Sequence, residues 1–87
     1  GHAYPNLFNS EVRVPFSLQH EGRVVVRIYD LVGQVVCQLT DRYASAGYGE
    51  LHWSGHDAHG DEVGAGLYLV VMTVGDQSWT RKVLYTK

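Results

Sequence analysis

The sequence predicts an all-β protein, an antiparallel sandwich of six or seven strands. Apolar residues return at every second position in several short stretches, glycine-rich turns separate those stretches at intervals of about ten residues, and no segment carries a helical period.

The first strand is "EVRVPFSL", with Val12, Val14, Phe16 and Leu18 on one side and Glu11, Arg13 and Ser17 on the other. Pro15 has no amide proton to give to a ladder, which predicts an edge position. "GRVVVRIYD" repeats the alternation, setting Val24, Val26 and Ile28 against Arg23, Val25 and Arg27. "DLVGQ" then makes a tight turn with Gly33 placed for a positive φ. "QVVCQLT" returns as the partner strand with two facings open: Val35, Cys37 and Leu39 share a face, or a bulge turns Val36 and Leu39 inward. "DRYASAGYG" reads as a connection, and "ELHWS" puts Leu51 and Trp53 on one side, with Trp53 a candidate centrepiece of the core. "GLYLVVMTV" is apolar on both faces, which predicts a central strand covered on both sides. A two-residue turn through Gly75 and Asp76 leads into "SWTRKVLYTK", the last strand.

Length and charge narrow the function classes. The 87 residues suit one small domain. Gly1 and His2 read as a pair left by tag removal, and residues 3–87 as a single uninterrupted domain, expected to be a piece of a larger protein. The net charge of -2, with seven scattered Lys and Arg, gives no basis for binding nucleic acid. No apolar run is long enough for a transmembrane segment. Cys37 is the single cysteine, so there is no internal disulfide, and among valines it reads as a small buried hydrophobe.

The stretch "GHDAHGDEVGAG", Gly55 to Gly66, concentrates the candidate chemistry. His56, Asp57, His59, Asp61 and Glu62 are all potential zinc or calcium ligands, but His59 breaks the alternation of oxygen ligands that a calcium loop needs. A turn is the more economical reading: Asp57 bonds backbone amides two residues on, Gly60 takes a left-handed conformation, and Gly64 and Gly66 return the chain to the sheet. No metal or other cofactor is therefore expected. No glycine-flanked serine, thiol–histidine motif or phosphate-cradling loop is present, and the formal pair Cys37 and His52 lacks the electropositive setting of a reactive thiol. The chain does not read as an enzyme. Tyr4, Tyr43, Tyr48, Trp79 and Tyr85 form a flat face for sugar or peptide on one reading, and pack at sandwich ends and rims on the other.

"YPNLFNSEVRVPFSL", "GRVVVRIYDLVGQVVCQL", "WSGHDAHGDEVGAGLYLVVM" and "TRKVLYTK", in that order, resemble two related groups of immunoglobulin-like domains. One is the C-terminal sorting domain of type IX secretion, and the other is the immunoglobulin-like domain of flagellar hook-cap proteins. Leu7 and Ser10 stand where prolines are usual, and Ser54 where aspartate is usual. The resemblance implies an immunoglobulin-like sandwich and a non-catalytic sorting signal on a larger secreted protein. Such a domain would be fused to an upstream domain, recognised by an outer-membrane translocon, and delivered through the periplasm of a Gram-negative-type bacterium to the surface or medium. It also implies partner-recognition roles for Pro5 and Asn6 in the leading motif, Gly66 and Tyr68 at the start of a strand, and Arg81, Lys82 and Lys87 in the terminal strand. Gly33, Trp53, Gly55, Asp57 and Gly60 would be structural. The alternative is an immunoglobulin-like binding or spacer module that contacts a glycan, a neighbouring catalytic domain or another protein.

Overall fold

The computed structural model describes residues 11–87. Six strands follow in chain order: β1 (Val12–Leu18), β2 (Gly22–Tyr29), β3 (Val35–Ala44), β4 (Gly47–Trp53), β5 (Gly66–Val74) and β6 (Gln77–Tyr85). They form two antiparallel sheets, one of two strands in the order β1-β4 and one of four in the order β3-β2-β5-β6. The architecture is an immunoglobulin-like β-sandwich.

Alternation explains how the two sheets meet. Val14 and Leu18 of β1 and Trp53 of β4 pack against Val24, Val26 and Ile28 of β2, Val70 of β5, and Val83 and Tyr85 of β6. Fully burying each such aliphatic side chain contributes about 1.5–3 kcal/mol. Pro15 lies on β1, whose one sheet neighbour among the described residues is β4, so its missing amide proton costs no central ladder bond.

Two expectations need correction, and one open alternative is decided. The segment "DRYASAGYG" is mostly strand: β3 runs to Ala44, β4 starts at Gly47, and two residues connect them. Pairing keeps the ladder going, because Val25 faces Asp41 and Arg23 faces Tyr43, while the Arg23 guanidinium grips the Asp41 carboxylate through two bonds of 2.7 Å. At Gly49 the ring of the cross-strand Phe16 lies over the missing side chain, so that a β-carbon there would fall 2.4 Å from Phe16 Cζ.

The alternative left open is the facing of β3. Its register against β2 slips twice, between Val26 and Arg27 and between Ile28 and Tyr29, passing over Leu39 and Val36. The bulged facing is the one adopted: Val36 and Leu39 pack against the core and Val35 is exposed. The second correction concerns β5, which is central, between β2 and β6, but covered on one side. Tyr68, Val70 and Met72 face the core, whereas no other layer of the described residues lies over Leu67, Leu69 and Val71.

Candidate functional site

Two aspartate turns share the same hydrogen-bond pattern. In the turn from β2 to β3, one carboxylate oxygen of Asp30 accepts the amides of Val32 at 3.0 Å and Gln34 at 2.9 Å. The Gly33 amide donates to the Asp30 carbonyl at 3.1 Å, and Gly33 sits at φ 91°. After β4 the pattern repeats at Asp57, which accepts the amides of His59 at 2.9 Å and Asp61 at 3.0 Å. The Gly60 amide donates to the Asp57 carbonyl at 3.0 Å, with Gly60 at φ 87°. Aspartate three residues before a glycine thus folds the backbone twice in the same way. The second turn is also tied to β3, since Ala58 donates its amide to the carbonyl of Val36, which the β3 bulge leaves out of the ladder, at 3.0 Å.

Beneath the second turn lies an aromatic cluster. Trp53 is 2% exposed, meets Tyr68 edge-on with ring centroids 5.0 Å apart, and lies 5.5 Å from the ring of Tyr85. Each polar tip has a partner: Trp53 Nε1 donates to the His56 carbonyl at 3.0 Å, the Tyr68 hydroxyl to the Gly64 carbonyl at 2.6 Å, and the Tyr85 hydroxyl to Glu62 Oε2 at 2.5 Å. Bonding to the Glu62 carboxylate, reinforced by burial, pushes the Tyr85 phenol up to about 12. The same bond holds Glu62 below the usual carboxylate value. Gly55, at φ 78°, passes so close to the Tyr85 ring that no side chain fits there.

The stretch Gly55–Gly66 is therefore a miniature hairpin, closed by a bridge between His56 and Glu62 and by the Val63 amide donating to the Gly55 carbonyl at 2.8 Å. Three of its five ligand-type side chains, those of His56, Asp57 and Glu62, already have partners. Asp57 binds two amides, chiefly that of Asp61, which hold its pKa low. His56 Nδ1 lies 3.0 Å from Ser54 Oγ, and Glu62 takes the Tyr85 proton donor. Among the described residues no group of three or more His, Cys, Asp or Glu is placed to hold a metal ion.

The remaining candidates disperse. Burial pushes the Cys37 thiol up, and His52 lies on the other sheet, bonded to Glu50 at 2.6 Å. Tyr85 is in the core, Tyr43 is on β3, Tyr48 on β4 and Trp79 on β6, so these aromatics make no common platform, and Tyr4 lies outside the described residues. Pro5 and Asn6 also lie outside them. Gly66 begins β5 opposite Tyr85, at φ 148°. Arg81 and Lys82 are consecutive strand residues on opposite faces of β6, and Lys87 Nζ lies 3.9 Å from Glu62. The three terminal cations do not form one patch. Asp30 and Glu62 were missed in the sequence as anchoring side chains. The Asp-x-x-Gly spacing shared by Asp30–Gly33 and Asp57–Gly60 was the signal for the first, and nothing local marks the bond from Glu62 to distant Tyr85.

Comparison with known proteins fits this arrangement. The FlgD Ig-like domain family matches residues 6–78. A crystal structure of FlgD from Xanthomonas campestris, described as giving insights into the hook capping essential for flagellar assembly, superposes with a TM-score of 0.68 at 27% identity, over 88% of this chain and 56% of that one. FlgD from P. aeruginosa shares the fold, with a TM-score of 0.62 at 20% identity, over 86% of this chain and 58% of that one. The chain thus spans little more than half the length of either neighbour. No curated protein matches it. Of the two resemblances in the sequence, the hook-cap one is found, and the expectation of a type IX sorting signal is corrected, because the family match and the 27% identical structural neighbour are both to FlgD. No helix among the described residues is long and apolar enough to cross a membrane. With 73 residues matched, from 6 through 78, the chain belongs to the FlgD Ig-like domain family.

Proposed function

We propose that this domain is a non-catalytic structural module of a hook-capping protein, fused to a further domain and working at the cell surface by binding other proteins. The observation that carries the reading is the family match over residues 6–78, supported by the 27% identical hook-capping neighbour. The geometry agrees with a scaffold role. Carboxylates that would serve catalysis or metal binding are instead spent on backbone amides and a buried phenol, which stiffens the turns.

The test is deletion of the coding segment for this chain in the source bacterium, with hooks counted by electron microscopy. Loss of hooks, restored by the intact gene, is expected. Normal hooks and normal swimming would overturn the reading.

A further inference from the structure

An antiparallel sheet that faces water on one side carries polar residues there. The outer face of the four-stranded sheet departs from this at one end, where an apolar strip interrupts the polar residues Arg27, Gln38, Thr73, Ser78, Thr80 and Lys82. Register places Leu69 of β5 beside Tyr29 of β2, Tyr29 beside Val35 of β3, and Leu67 beside Leu84 of β6. Leu84 is 61% exposed and Val35 57%, with Val71 continuing the strip along β5. At the end of the strip the turn from β2 to β3 carries Leu31 and Val32, exposed by 58% and 81%. A turn normally presents polar side chains. Here the Asp30 carboxylate fixes the backbone on either side of Val32, so both apolar groups are held outward on a rigid base.

The charges on this face are biased. Arg27 lies beside Val71 and Lys82 beside Leu69. Arg27 bonds the neutral amide of Gln38 at 3.2 Å, and Lys82 enters no ion pair among the described residues. The carboxylate on the face, Asp41, is already bound by Arg23. A chain of net charge -2 thus shows cations around its apolar strip. A second copy would bring the same cations into one interface without carboxylates to meet them.

We infer that the outer face of β2, β5 and β6, with the Leu31–Val32 turn, docks another protein through an apolar ridge flanked by carboxylates. The inference rests on reading the domain as an interaction module and names its face. Contiguous exposed apolar surface rimmed by charge is the usual mark of such a site. Cations of the rim select an acidic partner.

The test uses the whole chain, isotope-labelled, titrated with a helical peptide of leucine and glutamate and with its leucine–lysine counterpart. Amide shifts at Leu67–Val71 and Lys82–Leu84 with the acidic peptide are expected, with affinity at least about tenfold above the basic one, as a pair of charge contacts provides. Arg27→Glu with Lys82→Glu should reverse that order while leaving the amide spectrum dispersed. Equal response to both peptides, shifts confined to β1 and β4, or a dimer in sedimentation that Leu84→Glu dissolves would each overturn it. Loss of hooks on deletion together with a negative titration would leave the structural role standing and remove this face from it.

Discussion

The ring of Tyr85 fills the space beside the α-carbon of Gly55: a β-carbon at residue 55 would fall 2.1 Å from Tyr85 Cζ. Gly55 is also at φ 78°, where a side chain adds backbone strain of about 1–2 kcal/mol. Gly55→Ala therefore combines strain with displacement of a core aromatic and should cost more than about 2 kcal/mol. Gly33→Ala separates the two effects, because φ is 91° there but nothing lies within 4 Å of the new β-carbon. It should cost no more than the strain alone, about 1–2 kcal/mol. Urea midpoints of the two variants check this, and equal losses would show that the Tyr85 contact is unimportant.

Trp53 joins the two sheets and both tyrosine rings. Truncation to alanine removes a large buried volume and should destabilise by about 3–5 kcal/mol. Trp53→Phe keeps much of the volume but leaves the His56 carbonyl without its indole donor at 3.0 Å, so a smaller loss is expected. Tyr48, 89% exposed, is the control, and Tyr48→Ala should leave the denaturation midpoint nearly unchanged.

Stability should fall at both ends of the pH scale for identifiable reasons. Glu62 is held below its usual value of 4.5 by the Tyr85 hydroxyl, Asp57 below 3.8 by backbone amides, and Asp41 below 3.8 by Arg23. A depressed carboxylate binds its proton more readily when unfolded, so its contribution is present above the usual value and is lost as pH falls through the folded one. Tyr85 works in reverse. Its pKa is pushed from 10.0 to about 12, so the folded state holds the proton longer and the contribution fades as pH rises from 10.0 to about 12. Glu62→Gln should bring the phenolate absorbance transition down toward pH 10.0 and weaken the acid limb. An unmoved phenol would mean that burial alone sets its value.

Period-two alternation made β1 and β2 legible, because each buries one face and leaves the other to water. The end of β3 and start of β4 were hidden for a physical reason: Ala44, Gly47 and Gly49 have little propensity of their own, and their strand form depends on Arg23–Asp41 and on the Phe16 ring, contacts distant in sequence. β5 misled differently. Its double apolar face did mark a central strand, but the outer cover that this pattern implies is not supplied by the described residues. The turn chemistry at Asp57 was local and readable, whereas the partner of Glu62 lies in the last strand and had no local signature.

The shared pattern at Asp30 and Asp57 makes a paired prediction. In both turns one carboxylate oxygen accepts two amides, so asparagine, which keeps that oxygen, should preserve the turn, and alanine should open it. Amide hydrogen exchange reads the effect residue by residue. Asp57→Ala should accelerate exchange at His59 and Asp61, and through the Ala58 to Val36 link also at Ala58. Asp30→Ala should do the same at Val32 and Gln34 and loosen the Leu31–Val32 tip. If asparagine loosens either turn as much as alanine, the carboxylate's charge, and not its geometry, holds the backbone.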